Sequence, residues 1–283
     1  MFKLKKILSM LLALVMLFSF NIITTASSPQ NLTGDEWVGY TLGKDYYFDE
    51  TGDIVYTYER QGSIPIQQNG AEKGNISTDN LSFTIKYAYN STKKVLKFSV
   101  NVDSGNLVFK PDLSLSLGLQ KANNKNGAYT SATSSINCGK MSYLKDYTIT
   151  CPAATKHYKF ILTFTSNDPN TTVLKPVYTD YTCRNRTGKV WEFYKKDPHS
   201  GVTISEPPTN WAVSQGQRVP GLNKIYEKNY NAKYGTNIVV GESVKIDVHH
   251  VRPLKYGGTN NMSNLIHIPT SFHSKITGWF NGY

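Results

Sequence analysis

Four segments between residues 81 and 164 alternate apolar and polar side chains, and this alternation constrains the possible folds more than any other feature. The apolar positions run from Leu81 to Tyr89 in the first segment and from Leu96 to Val102 in the second. Segments 113–119 and 158–164 repeat the pattern. Since a period of two places successive side chains on opposite faces of a strand, each segment predicts a strand with one buried face. Strands at this density, with no convincing helical pattern among them, favour an antiparallel β-sandwich or barrel.

Composition divides the chain into four parts. Residues 1–26 form a leader, and residues 27–185 form the β-rich part, which is predicted to be a sandwich-like domain of unknown role. Residues 186–208 are predicted to be a linker, because the prolines there interrupt regular structure. Residues 209–283 are predicted to be a smaller domain that combines strands and helices. The expected fold class is therefore α+β overall.

The leader has the pattern of a secretory signal peptide. Three lysines precede an apolar stretch from Ile7 to Phe20, and Thr24-Thr25-Ala26 offers small residues for cleavage before Ser27. An uncleaved membrane anchor is the alternative, although the apolar stretch is at the short end for spanning a bilayer. We expect a secreted, extracellular protein with no stable membrane insertion after cleavage.

The C-terminal part has a local structure that the same rules predict. Residues 243–249 alternate in polarity and are rich in β-branched types, so they predict a strand, and residues 264–268 predict a short return strand. Pro269 lies near the start of a helix, with Thr270 or Ser271 as N-cap. The apolar positions of this helix are Phe272, Ile276, Trp279 and Phe280, and Gly282 ends it. Residues 215–234 predict another helix, in which Tyr226, Tyr230 and Tyr234 pack against the strands and helix that follow.

This C-terminal segment resembles the HNH endonucleases, whose core is called the ββα-metal finger. His-Val-Arg-Pro-Leu-Lys-Tyr-Gly-Gly at 250–258 is similar to the family element H-I-x-P-L-x-x-G-G. Lys-Ile-Asp-Val-His-His at 245–250 is similar to the K-Y-E-L-H-H segment of the bacteriocin (colicin-type) branch, which is bacterial. Asn264 follows 14 positions after His250, and His273 lies 9 positions further on. The resemblance covers this segment alone and says nothing about residues 27–180.

The resemblance implies a role for each matching residue. His250 would be the general base that takes a proton from water, which suits histidine because its reference pKa is about 6.5. His249 and His273 would hold a divalent metal ion that polarises the phosphate and stabilises the departing 3′-oxygen. Asn264 would fix the His250 ring by a side-chain hydrogen bond. Cleavage would then leave 5′-phosphate and 3′-hydroxyl ends.

The sequence departs from the family pattern at the metal site. Many members have an aspartate at the position of His249, and the bacteriocin branch often has a further histidine where this chain has Thr277. Two protein ligands are therefore expected, with water and phosphate completing the coordination. Imidazole pairs suit zinc, nickel, cobalt or manganese by ligand softness, but an open site often works with magnesium. We expect one divalent ion, with Mg, Mn and Zn as alternatives.

The other candidate residues have simpler interpretations. His267 either points into the site or caps a small core, and His157 and His199 have no partner motif. Asp247 is expected to be a structural carboxylate that holds a basic residue rather than a metal ligand.

Positive charge is concentrated in the C-terminal part. Residues 184–283 contain 13 Lys and Arg against 6 Asp and Glu, whereas residues 27–183 contain 15 against 14. This asymmetry favours a polyanionic partner, namely nucleic acid. The first candidates for phosphate contacts are Lys245, Arg252, Lys255 and Lys275, followed by Arg218, Lys224, Lys228 and Lys233. For any single one of these residues, a solvated basic surface is the alternative interpretation.

Three cysteines, Cys138, Cys151 and Cys183, are present in a chain that is expected to be exported. An oxidising compartment would allow at most one internal disulfide among them. Cys138 and Cys151 are nearest in sequence and are the expected pair.

These observations together predict a secreted, metal-dependent HNH endonuclease that hydrolyses DNA, or alternatively RNA, with low sequence specificity. Within this activity, a nutritional or DNA-clearing nuclease and an antibacterial toxin delivered by the β-domain both remain open. The β-domain would then bind a cell-surface ligand, and a toxin would have an immunity protein as partner. A third alternative is a non-enzymatic exported adhesin whose C-terminal finger is a structural metal module.

Overall fold

A computed structural model describes residues 45–48, 54–69, 76–103, 107 and 110–283. The predicted leader, residues 1–26, lies outside the described residues. Strands predominate in the described ranges, which also contain two α-helices. Within those ranges, no helix is both long enough and apolar enough to cross a membrane. The mainly β character agrees with the alternation in the sequence.

The elements follow one another in a long series of strands and then a mixed C-terminal group. The strands of the first group are β1 (Asp45–Phe48), β2 (Ile54–Asn69), β3 (Ile76–Asn90), β4 (Val95–Asp103), β5 (Leu113–Ala122), β6 (Thr130–Ser131), β7 (Ile136–Lys140), β8 (Asp146–Pro152), β9 (Lys156–Ser166), β10 (Thr171–Val173) and β11 (Val177–Arg184). The C-terminal group consists of β12 (Lys195–Lys196), β13 (Thr203–Ile204), α1 (Leu222–Tyr234), β14 (Ile246–His250), β15 (Leu265–Pro269) and α2 (Thr270–Phe280). Short 3₁₀ turns lie at Glu242–Val244, Leu254–Tyr256 and Met262–Asn264.

The first eleven strands form two antiparallel sheets. One has the order β1-β2-β3-β4-β8 with β10 beside β2, and the other has the order β11-β9-β5-β6 with β7 beside β5. The four alternating segments of the sequence lie in β3, β4, β5 and β9, and their apolar residues are buried. The buried faces meet through aromatic rings, since the ring centroids of Phe83 and Phe164 lie 5.9 Å apart and those of Phe98 and Phe160 lie 5.8 Å apart. The four strand predictions are therefore confirmed.

The cysteine pairing expected from sequence is wrong, because Cys138, Cys151 and Cys183 are all free thiols. Cys151 lies on β8 and is buried on the inner face of the first sheet. Cys138 lies on β7, at the edge of the other sheet. Proximity in sequence therefore does not bring these two side chains together, since the strands that carry them belong to different sheets.

A second hydrophobic cluster joins the end of β11 to the C-terminal group. Cys183, Trp191 and Ile204 are buried in it with Ile276 and Trp279 of α2. The Asn185 side chain donates a hydrogen bond to the Trp279 carbonyl (2.7 Å), and the Trp279 indole donates one to the Lys189 carbonyl (2.9 Å). Full burial of a large apolar side chain contributes roughly 1.5–3 kcal/mol. Residues 186–208, which composition suggested as a linker, thus supply buried side chains and the short β12–β13 pair.

Within the C-terminal group, the two-stranded sheet of β14 and β15 lies between the two helices. Strands β14 and β15 pair in antiparallel fashion, with His249 opposite Ile266 and His250 opposite Leu265. Helix α2 packs with Ile266 in the cluster just described, and α1 packs with Leu265 in a separate cluster. The buried residues of that separate cluster are Leu222, Tyr226, Tyr230, Val248 and Leu265. The predicted packing of the α1 tyrosines against the strands is confirmed, because Tyr226 and Tyr230 are buried in this cluster and the partly buried Tyr234 packs against it.

The ends of these elements differ from the predicted ends for local reasons. Strand β14 begins at Ile246 because a 3₁₀ turn precedes it and Lys245 has a left-handed backbone, with φ of 53°. Helix α1 begins at Leu222, after Pro220 and the left-handed Gly221, rather than near residue 215. In α2, Thr270 is the first helical residue, and Pro269 occupies the N-cap position without a side-chain cap.

Candidate functional site

The three histidines of the C-terminal segment line one cavity. His249 and His250 end β14, and His273 lies in the first half of α2. The ring centroids of His249 and His273 are 5.0 Å apart, with the rings at 71° to each other. The cavity has a volume of about 170 Å³ and is lined by Arg218, His249, His250, Pro253, Leu254, His273, Thr277 and Phe280. The fold therefore brings together the proposed base and both proposed ligands.

His249 is the most deeply buried member of the cavity. Its side chain is only 5% exposed, and its Nε2 atom has no hydrogen-bond partner among the described residues. Burial lowers its pKa to about 3, with further contributions from His273, His250 and Arg218. Leaving a buried polar atom without a partner costs about 1–3 kcal/mol. A neutral imidazole with an unpartnered nitrogen, kept at such a cost, is the arrangement that a metal ligand requires.

His273 is oriented by a carboxylate on the neighbouring strand. Its Nδ1 atom lies 3.0 Å from Oδ2 of Asp247, which precedes His249 by two positions on β14. A carboxylate that accepts a hydrogen bond from one ring nitrogen fixes the tautomer and leaves the other nitrogen free to bind an ion. Asp247 was expected to be a structural carboxylate for a basic residue, and the group that it holds is His273.

His250 is buried beside His249 but has a different environment. Its Nε2 atom lies 3.0 Å from Oδ1 of Asn260. Burial lowers its pKa, and the hydrogen bond to Asn260 partly offsets this effect. His250 is therefore neutral near pH 7 and able to accept a proton. Asn260 lies in the connection between β14 and β15 and is not among the site residues predicted from the sequence.

The side chain of Asn264 lies elsewhere than expected, and this corrects the predicted contact with His250. It accepts a hydrogen bond from the Arg252 amide (2.8 Å) and donates to the carbonyls of Arg252 (3.0 Å) and Thr259 (2.9 Å). One amide group thus satisfies three backbone groups and closes the loop between β14 and the 3₁₀ turn before β15. Asn264 shapes the loop that carries the site, and Asn260 makes the contact with the His250 ring.

Arg218 is the basic residue that lines the histidine cavity. Its guanidinium donates to the Val248 carbonyl (3.2 Å) and to Asn223 Oδ1 (2.6 Å). It lines both the histidine cavity and an adjoining open cavity of about 540 Å³ that also includes Lys224. Only its charge pointed to Arg218 in the sequence, and it was placed after the four first candidates.

Those four candidates, Lys245, Arg252, Lys255 and Lys275, are all exposed. Arg252 is held in place, because its Nε donates to the Tyr256 carbonyl (2.6 Å) and its guanidinium lies 5.3 Å from the centre of the Trp211 ring. Lys255 lies 5.7 Å from the centre of the Tyr256 ring. Arg252 and Lys255 thus lie in the loop that Asn264 closes, and both residues are exposed.

The remaining histidines lie outside the cavity. His267 is opposite Val248, on the face of the sheet that α1 covers, and its Nδ1 lies 3.1 Å from the Tyr226 hydroxyl. This position favours the interpretation that His267 caps a small core rather than pointing into the site. His157 lies on β9 and contacts the Pro207 carbonyl (3.0 Å), and the His199 ring lies beside Tyr230.

No family model matches the chain, and no curated protein or solved structure matches it either. Among the residues that the structure describes, no three His, Cys, Asp or Glu side chains are grouped so that they could hold a metal ion by themselves. Because activity resides in sites rather than in folds, function has to be inferred from the cavity and its side chains.

Proposed function

We propose that the protein is a secreted, metal-dependent endonuclease of the HNH type, which hydrolyses phosphodiester bonds of DNA with little sequence specificity. The observation that carries this proposal is the shared cavity of His249, His250 and His273, in which one buried imidazole nitrogen has no partner. Two candidate ligands and one candidate base within a single cavity are what metal-assisted hydrolysis needs.

His249 and His273 would hold the ion. Both are suited to it, because His249 Nε2 is unpartnered and Asp247 engages Nδ1 of His273, which leaves Nε2 of that ring available. A bound divalent ion would supply a Lewis acid for the phosphate and for the departing 3′-oxygen. With two protein ligands, water and phosphate oxygens would fill the other positions, and Mg, Mn and Zn all remain candidates.

The other residues of the cavity would handle the proton and the phosphate. Neutral His250 would accept the proton of the attacking water. Arg218 retains further N–H donors beyond those used for Val248 and Asn223, so its guanidinium could also bind a phosphate oxygen. Thr277, at the position where the bacteriocin branch often has a further histidine, also lines this cavity.

The charge distribution supports a nucleic acid as the substrate. Arg218 lines both the histidine cavity and the larger open cavity beside Lys224. The C-terminal group also exposes Lys245, Arg252, Lys255 and Lys275. Contacts of this kind bind phosphates without reading bases, so little sequence specificity is expected.

The test is a plasmid-nicking assay on the chain without its predicted leader, first in EDTA and then with Mg²⁺, Mn²⁺ or Zn²⁺ restored, with an RNA substrate in parallel. We expect that His250→Ala abolishes turnover while metal binding persists, and that His249→Ala and His273→Ala weaken the binding of the metal itself. His199→Ala, an exposed histidine outside the cavity, is the matched control and should cleave normally.

Two results would overturn the proposal. Cleavage by His250→Ala at the wild-type rate would exclude His250 as the base. A wild-type chain that binds metal and gains thermal stability, but cleaves neither DNA nor RNA with any of the ions, would instead be the exported adhesin with a structural metal module.

A further inference from the structure

Asn260 lies between the proposed base, His250, and the segment that precedes α1 in sequence. Its Oδ1 atom lies 3.0 Å from Nε2 of His250, and its Nδ2 atom donates to the carbonyl of Gln217 (2.9 Å). The two ends of one amide thus connect His250 with Gln217, which lies 43 positions before Asn260 in sequence. The same turn contains Asn261, whose side chain is exposed.

The chemistry of these three groups determines where the proton of His250 resides. A backbone carbonyl only accepts, so the end of Asn260 that faces Gln217 must be the NH₂ group. The oxygen of the amide then faces His250, and an amide oxygen also only accepts. Nε2 of His250 must therefore carry the hydrogen, and in the neutral ring Nδ1 is left with the free lone pair.

The segment 214–218, here called the strap, keeps the Gln217 carbonyl in place. The Ser214 amide donates to the Lys255 carbonyl (2.7 Å), and Arg218 donates to the Val248 carbonyl (3.2 Å), so the strap is fixed on both sides of Gln217. Gly216 allows the strap to approach the Leu254 backbone closely, since a Cβ at this position would lie 2.7 Å from the Leu254 carbonyl oxygen. The strap is largely exposed and buries little apolar surface, so these polar contacts determine its position.

We infer that Asn260, held by the strap, is a positioning residue that locks His250 in the Nε2–H tautomer and makes Nδ1 the atom that accepts the proton. The part that concerns catalysis rests on the proposed function, whereas the tautomer is a property of the protein without metal or substrate. Asn264 does not compete for this role, because its side-chain amide is engaged by the backbone of Arg252 and Thr259.

The first test is spectroscopic and needs no activity. Two-bond ¹H–¹⁵N correlation spectra of the neutral imidazoles distinguish the two tautomers, and His250→Gln identifies the signals of His250. In the EDTA-treated protein, we expect His250 to be Nε2–H. In Asn260→Ala it should become a mixture of both tautomers, whereas Asn261→Ala, the matched control, should leave the spectrum unchanged. A wild-type Nδ1–H tautomer, or an Nε2–H tautomer that is unaffected in Asn260→Ala, would overturn the inference.

The second test uses kinetics. Loss of a group that orients a catalytic residue typically costs about 10- to 100-fold, and we expect this loss in kcat for Asn260→Ala with KM and metal affinity within about twofold of wild type. Gly216→Ala displaces the strap without touching Asn260, so it should produce the same tautomer mixture and a similar loss. If Asn260→Ala does not fold, as judged by circular dichroism, Gly216→Ala and the wild-type spectrum still decide the question.

These readouts separate the failure of the inference from the failure of the proposed function. Inactive wild-type protein with His250 in the Nε2–H form would refute the nuclease and leave the positioning by Asn260 intact. Active protein whose kcat is unchanged in both Asn260→Ala and Gly216→Ala would refute the positioning role alone.

Discussion

Asp247 Oδ2 lies 3.0 Å from Nδ1 of His273, so a carboxylate on strand β14 orients a histidine on helix α2. The two residues are 26 positions apart in sequence. Their contact joins the strand that carries His249 to the helix that carries the second candidate ligand. Under the proposed function, metal affinity would therefore be linked to the packing of the helix on the sheet through this one pair.

Replacing Asp247 by Asn should weaken metal binding without unfolding the protein. The amide no longer provides a charged acceptor for the Nδ1–H of His273, and loss of such an outer partner typically reduces metal affinity about 10- to 100-fold. The measurement is a competition titration with a chromophoric chelator. Glu242→Gln, which removes an exposed carboxylate in the turn before β14, is the control and should bind metal as wild type does. Equal affinity in both variants would contradict a role for Asp247.

His249→Leu should stabilise the metal-free protein while abolishing its response to metal. The substitution removes a buried atom that has no partner, and the cost of that atom is about 1–3 kcal/mol, so the free energy of unfolding in EDTA should rise by a comparable amount. An ion that binds only the folded state should raise the stability of the wild type and not that of the variant. Urea denaturation with and without metal measures both effects.

The exposed residue His199 is the control for this experiment, and His199→Leu should change the stability by less than about 0.5 kcal/mol. Destabilisation by His249→Leu in EDTA would mean that the imidazole makes a favourable contact in the metal-free protein. The reason for regarding it as a ligand would then be lost.

His157 should make the stability of the protein depend on pH. It is buried near the start of β9 against the Pro207 carbonyl. Burial lowers its pKa, and Pro207 and Glu206 partly oppose this effect. Since the pKa in the unfolded chain is about 6.5, the unfolded state binds more protons than the folded state below that pH. The contribution of His157 is thus fully present above about pH 6.5 and is lost as the pH falls toward the folded pKa.

The matching variant is His157→Gln, whose amide can still donate to the Pro207 carbonyl but does not titrate. The measurement is urea denaturation at about pH 7.5 and about pH 5, which lie on the two sides of the reference pKa of histidine. We expect the variant to lose less stability than the wild type between these two pH values. An identical pH dependence in the two proteins would show that His157 does not contribute.

The strands were predictable from sequence because a period of two is a local property that the buried face of a sheet preserves. The grouping of the three histidines was expected from the family resemblance and from the predicted order of strand, strand and helix. The contacts of Asn260 with Gln217 and of Asp247 with His273 were not predictable, because each depends on how distant segments pack. The wrong assignment of Cys138 and Cys151 as a pair has the same cause, since sequence spacing does not tell which sheet a strand joins.

The free thiols lead to a prediction about chemical reactivity. Burial raises the pKa of Cys151 to about 11 and raises that of Cys183 further, while Cys138 is only partly buried. Because the thiolate is the reactive form, a disulfide reagent near pH 8 should modify Cys138 first in the native protein and all three residues after denaturation. Cys138→Ser should lose the fast reaction. A mass spectrum that shows a Cys138–Cys151 linkage would contradict the structure.

Gly258 should be indispensable for the loop that carries the site, unlike Gly278 in α2. A Cβ at Gly258 would overlap the carbonyl oxygen of Arg252, and it would also lie 3.0 Å from Nδ2 of Asn264, so the closed loop would have to shift. A Cβ at Gly278 would meet nothing within 4 Å. Gly258→Ala should therefore reduce nicking at least about tenfold, as expected for disturbed support of a catalytic group. Gly278→Ala should retain activity and gain up to about 1 kcal/mol in the free energy of unfolding, because alanine favours helices.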